Sequence, residues 1–217
     1  THSTNKLRAV QDISYTVGMD SEIEAKFLRI DHQDMRKKLL AIGAVCQHPM
    51  RTMHRVILDF PDGTLNKQHA WARVRDEGDK VTVTYKRDSD KTFGSVHEIE
   101  ITADSYEQAV KLMEALGLNI LSAQDTQRET WHKDGVEVVL DIWPWLPPFI
   151  EIESSSKEAV ESMAAQLGLE MEKAVFGSVT NVYRVHYPNM DKTKDIGTIP
   201  KLLFNTEPPE WFGKEGS

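Results

Sequence analysis

One pattern constrains this chain more than any other: a short Glu-Ile-Glu strand that runs into an amphipathic helix, and it occurs three times. Glu22-Ile23-Glu24 precedes a helical stretch through Met35, Leu39, Leu40 and Ile42, closed by Gly43. Glu98-Ile99-Glu100 precedes Tyr106, Ala109, Val110, Met113 and Leu116, closed by Gly117. Glu151-Ile152-Glu153 precedes Ala159, Val160, Met163 and Leu167, closed by Gly168. The apolar residues of each helix recur at spacings of three and four, which makes one buried stripe. Asp104 with Glu107 and Ser155 with Glu158 are expected as N-terminal caps, and the glycines suit the left-handed position past a helix end.

Further strands are expected at 53–60, 70–75, 80–87, 124–132 and 136–143, rich in Val, Thr and aromatic residues and bounded by turn residues. Pro61-Asp62-Gly63, Asp76-Glu77-Gly78-Asp79 and Lys133-Asp134-Gly135 are the turns. The expected fold is α+β, with eight strands joined almost entirely antiparallel. Residues 20–186 form the expected domain. Residues 1–19 are polar, do not begin with Met, and are expected to be a tag or disordered arm. Residues 187–217 carry Pro188, Pro200, Pro208 and Pro209 and are expected to be a loop-like tail, with Trp211 and Phe212 as possible anchors.

Alternate residues of a strand point the same way, so the charges sort onto faces. Glu22, Glu24 and Lys26 oppose Ile23, Ala25 and Phe27. Arg73 and Arg75 oppose Ala72 and Val74, while Lys86 stands with Thr82 and Thr84. Glu98 and Glu100, Arg128, Glu137 and Asp141, and Glu151 and Glu153 repeat the arrangement. An open sheet with one face in water accounts for such alternation. A closed sheet is the alternative, because eight strands can close around one small ligand. Charges inside a lumen persist only when paired or bound to metals and anions. Carboxylates suit Mg²⁺ or Mn²⁺, and Arg or Lys suits phosphate oxygens, so the fitting guest is a metal–polyphosphate complex.

The ordered residues resemble the CYTH superfamily, the triphosphate tunnel metalloenzymes. Glu22-x-Glu24-x-Lys26 is similar to that group's ExExK signature, and Arg73-x-Arg75, Lys86, Glu98-x-Glu100, Arg128, Asp141 and Phe149-Ile150-Glu151-Ile152-Glu153 follow in order. The resemblance implies a closed eight-stranded antiparallel β-barrel, a tunnel with helices packed outside. It implies Mg²⁺ or Mn²⁺ on Glu22, Glu24, Glu98, Glu100, Asp141, Glu151 and Glu153. It also implies a small-molecule triphosphate held by Lys26, Arg73, Arg75, Lys86 and Arg128, with Glu22, Glu24 and Lys26 nearest the chemistry. Trp145-Leu146-Pro147-Pro148 departs from the family, whose members carry Leu-Gly there. The family's late basic residue has candidates in Arg184, Lys192, Lys194 and Lys201.

The expected activity is a metal-dependent triphosphatase acting on inorganic triphosphate or on a nucleoside or thiamine triphosphate. The alternatives are a class IV-type adenylyl cyclase and a non-catalytic polyphosphate- or nucleotide-binding module. No Walker-type glycine loop is present. The single Cys46 is expected as buried packing, and His48, His54, His69 and His97 lack metal-ligand spacing. A net charge of −8 argues against a nucleic-acid partner. No apolar run reaches the roughly 20 residues of a membrane helix, and a lone cysteine points to no oxidising compartment, so the cytoplasm is the expected location. The residue pattern carries no signal for oligomeric state.

Overall fold

A computed structural model describes residues 20–88 and 95–216. The segment expected to be a tag or arm, 1–19, lies outside the described residues, as does the side chain of Glu22.

The elements alternate as the sequence pattern requires. Strand β1 (Asp20–Leu28) leads into helix α1 (His32–Ala41), β5 (Ser95–Ala103) into α3 (Tyr106–Ala115), and β8 (Phe149–Ser154) into α4 (Lys157–Gln166). Gly43, Gly117 and Gly168 lie at φ 79°, 96° and 72°, the left-handed conformation that ends a helix without steric cost. The caps fall one residue later than expected. Ser105 accepts from the Gln108 amide and Ser156 from the Ala159 amide, because these serines hold the extended backbone that brings a hydroxyl over the first turn. Glu107 and Glu158 instead accept from those same hydroxyls.

The remaining strands are β2 (Val45–Asp59), β3 (Ala70–Asp76), β4 (Val81–Asp88), β6 (Asn119–Lys133), β7 (Val136–Ile142) and a two-residue β9 (Lys201–Leu202), with a single helical turn α2 (Thr64–Lys67) before β3. They form one mostly antiparallel, nine-stranded sheet in the order β2-β3-β4-β5-β1-β8-β7-β6-β9. The expected eight strands are the first eight; β9 joins β6 in parallel and comes from the tail that was expected to be loop-like. The sheet curls until β6 also pairs with β2. That seam is irregular, with register shifts between Cys46 and His48, between His48 and Arg51, and between Ile57 and Leu58. The expectation was a closed eight-stranded barrel; the sheet is instead a curled one, consistent with a tunnel, whose β2–β6 seam is a bulged ladder. Cys46 lies on this seam and is exposed, contrary to its expected burial, because β2 already begins at Val45 and its first three residues are exposed.

Helices α1 and α4 cover the outside of β1, β8 and β7. Met35, Leu39, Val160, Met163 and Leu167 pack there on Ala25, Val138, Leu140, Ile150 and Ile152. Helix α3 lies against β3 and β6, and its Ala109 joins a cluster with Val56, Ala72 and Val74. A third cluster lies on the other face of the sheet. Trp143 and Phe149 continue the charged faces of Asp141 and Glu151, and they pack on Val182 and Tyr183 of helix α5 (Val179–His186) and on Leu202 and Phe212 of the tail. The stiff Trp145–Pro148 stretch is the dock for this tail. The Trp145 indole donates to the Thr206 carbonyl, and the Tyr183 and Tyr187 hydroxyls donate to the carbonyls of Pro144 and Trp145.

Candidate active site

The charged faces look into a cavity of about 810 Å³. Lys26 is 3 % exposed, and Arg73, Arg75 and Glu151 are also buried, so these side chains are not on an open, solvated sheet. Strand pairing sets the arrangement. In the β1–β8 ladder Glu24 lies opposite Glu153 and Lys26 opposite Glu151. Carboxylate oxygens of Glu24, Glu151 and Glu153 all lie within 4.8 Å of one another.

Three carboxylates this close repel unless a proton or a cation intervenes. Burial, and then the Glu151 carboxylate, push the Glu24 carboxyl up to about 8 despite the pull of Lys26. Burial would also raise Glu151, but Lys26, the hydrogen bond from Glu24 and the Arg128 guanidinium together hold it well below the ordinary carboxylate range. Of this pair, Glu24 is the carboxyl whose protonation is favoured. Lys26 Nζ lies 2.5 Å from Glu24 and 3.6 Å from Glu151, and it donates to the Gly177 carbonyl at 2.9 Å. Burial lowers the Lys26 pKa, but Glu151 and Glu24 outweigh it and the net shift is upward.

Among the described residues, the expected metal ligands Glu98, Glu100 and Asp141 have other partners. Glu98 lies 2.5 Å from Lys86 and 3.6 Å from Arg73, and Glu100 lies 3.4 Å from Arg73. Asp141 is 1 % exposed and takes two hydrogen bonds from Arg128, Nε at 2.7 Å and Nη2 at 2.6 Å. It positions an expected phosphate clamp and is not among the clustered carboxylates. Arg128 also reaches Glu151 at 3.5 Å, which ties the clamp to the glutamate cluster. Of the expected clamps, Lys26, Arg73, Arg75, Lys86 and Arg128 all line the cavity. Burial, and then the neighbouring Arg75, bring Arg73 down to about 10.

The lining residues that escaped the sequence reading include Arg51, Arg55, Glu77 and Lys80. Glu77 is buried and accepts from Arg75 and Arg51, so it holds Arg75 from one side. Arg51 was hidden because β2 was expected to start at Met53, and Glu77 because it was expected to lie in a turn; Arg55 and Lys80 lay inside expected strands but were not sorted onto a face. The alternation Arg51, Met53, Arg55, Ile57 puts two arginines on one face between apolar neighbours, and sorting β2 like the other strands would have found them. The candidates for a late basic residue, Arg184, Lys192, Lys194 and Lys201, do not line the cavity. Arg184 is turned instead onto Asn181 and the carbonyls of Lys192 and Lys194.

The sequence over residues 20–182 matches the CYTH domain family. The chain belongs to that family. CYTH superfamily members are typically metal-dependent enzymes acting on triphosphates. The fold is similar to that of a Pyrococcus horikoshii OT3 protein, at 24% identity and TM-score 0.59, over 71% of this chain and 94% of that one. It is also similar to a candidate adenylate cyclase from Vibrio parahaemolyticus, at 14% identity and TM-score 0.66, over 74% and 95%. A third similar structure, from Hippeastrum, is a candidate adenylyl cyclase described as having a dominant triphosphatase activity; it shares 17% identity at TM-score 0.52, over 70% and 89%. A search of curated proteins gave no match. Among the described residues no helix is long and apolar enough to cross a membrane.

Proposed function

We propose that this CYTH protein is a divalent-metal-dependent triphosphatase whose curled sheet serves as a tunnel for inorganic triphosphate or an organic triphosphate. The observation that carries this reading is the opposition, in one buried cavity, of three clustered carboxylates to a set of arginines and lysines. The donor set fits a hard cation: Glu24, Glu151 and Glu153 offer oxygen atoms only, and their mutual repulsion calls for a positive charge. Those three residues would hold Mg²⁺ or Mn²⁺, which when bound supplies charge neutralisation at phosphate oxygens.

The chain's own residues do the rest. Phosphoryl transfer needs position and charge stabilisation more than covalent help. Arg73, Arg75 and Arg128 present planar forks suited to phosphate oxygens, and their orientations are preset by Glu98 and Glu100, by Glu77 and by Asp141. Lys26 and Lys86 add point charges on β1 and β4. Trp71 continues the face of Arg73 and Arg75 and lines the cavity. An aromatic surface beside the clamps favours an organic triphosphate, and it keeps cyclisation of ATP as the second reading.

Product analysis separates the two. With Mg²⁺ or Mn²⁺, purified protein is expected to release orthophosphate from inorganic triphosphate, ATP or thiamine triphosphate, and to stop in excess chelator. Cyclic AMP with pyrophosphate as the only products of ATP would establish the cyclase. Binding of these compounds without any product would leave the non-catalytic module.

A further inference from the structure

We propose that Arg55, on β2, is an anion-binding residue of this cavity that contacts phosphate oxygens of the polyphosphate from the wall opposite Glu24. The inference rests on reading the cavity as a polyphosphate site and adds a residue to it.

Ion pairing singles Arg55 out. Lys26 is matched by Glu24 and Glu151, Arg73 by Glu98 and Glu100, and Arg75 by Glu77. Lys86 is matched by Glu98, Arg128 by Asp141, and Arg51 by Glu77. Arg55 has no carboxylate within ion-pair distance among the described residues. It is 5 % exposed, its Nη2 donates to the Thr126 hydroxyl, and its Nε has no hydrogen-bond partner.

Arg75, Arg73 and Arg128 outweigh Asp141 in the charge around it. Arg55 pairs in register with Arg75, and after burial itself the charges of Arg75, Arg73 and Arg128 disfavour its protonated form most. On one side the guanidinium lies over the Trp143 ring, 4.8 Å from its centroid, against the apolar cluster that includes Tyr183. A buried, incompletely hydrogen-bonded cation among like charges is costly until an anion arrives. The sheet places that anion. From β2, the ladders reach β1 in four steps through β3, β4 and β5, and in four through β6, β7 and β8. Arg55 therefore faces Glu24 across the curl, and a polyphosphate between them spans from the glutamate cluster to the arginine wall.

The unusual consequence is a pair of effects with opposite sign. Arg55→Met keeps bulk over Trp143 and removes the unmatched charge. Its ligand-free melting temperature is expected to equal or exceed that of wild type, while its affinity for inorganic triphosphate, titrated calorimetrically in chelator, falls about thirtyfold. Arg55→Lys retains charge without the fork and should fall between the two. Should Arg55→Met fail to fold, Arg55→Gln gives the same comparison, because it removes the charge and keeps a donor toward Thr126. If wild type binds triphosphate and either neutral variant binds it equally well, Arg55 is a structural residue and the inference is overturned, with the polyphosphate site left standing. If wild type itself binds no triphosphate, with or without Mg²⁺, the underlying reading falls and Arg55 with it.

Discussion

Glu24→Gln is expected to lower metal-dependent turnover about a hundredfold or more, on the order of 3 kcal/mol of transition-state stabilisation, while leaving the fold intact. The amide keeps the volume of the acid but cannot deliver a negative oxygen to the cluster with Glu151 and Glu153. It also mimics the protonated form that the metal-free protein already favours, since the Glu24 carboxyl is raised from 4.5 to about 8. A group whose folded pKa is raised contributes stability that is fully present below its unfolded value and lost as pH rises through its folded value. The metal-free wild type should therefore lose stability between pH 4.5 and about 8, and the non-titrating variant should not. Glu151, held low, gives the opposite slope, but only in acid below that window. Turnover together with metal-free melts across this range tests both halves. A fully active Glu24→Gln enzyme would remove this residue from the metal site.

Arg128→Ala is expected to cost about 3–5 kcal/mol of stability in addition to activity. Asp141 would lose both charge-assisted bonds and keep only the Trp143 indole, 3.4 Å away. A carboxylate with 1 % exposure cannot recover hydration in place. Replacing both partners, Arg128→Met with Asp141→Leu, should restore most of the stability and none of the turnover. Chemical denaturation of the three proteins decides the matter. Wild-type stability for the single variant would show that Asp141 does not depend on Arg128.

The three Glu-Ile-Glu units made the helix-covered sheet and most of the site legible in advance. Period-two alternation fixes which side chains share a face, and Lys26, Arg73, Arg75, Lys86 and Arg128 indeed line one cavity. What alternation could not show was which opposite charges would meet. Glu98 and Asp141 look like Glu24 in sequence, yet one meets Lys86 and the other Arg128. Those pairings depend on register between strands distant in the chain. The tail was legible only in its anchors, Trp211 and Phe212, which do join a core cluster, and the rest was not for a related reason. Phe212 packs on Trp145, Tyr183 and Tyr187, residues distant from it in the chain, and no local period records that. Arg55 was missed because its apolar neighbours Met53 and Ile57 conceal a charged face.

Enclosed charges that form a site shaped for a linear triphosphate and a divalent ion should discriminate among anions by length. Thermal melts of the wild-type protein with triphosphate, pyrophosphate, orthophosphate and sulfate, with and without Mg²⁺, test this most directly. Stabilisation should decrease in the order triphosphate, pyrophosphate, orthophosphate, because a longer anion engages more of Lys26, Arg73, Arg75, Lys86 and Arg128. It should reach about 2.7 kcal/mol at one hundred times the dissociation constant and persist at moderate salt. Sulfate at matched charge stabilising as well as triphosphate, or shifts that vanish within physiological ionic strength, would contradict a built site and leave only a screened charged surface.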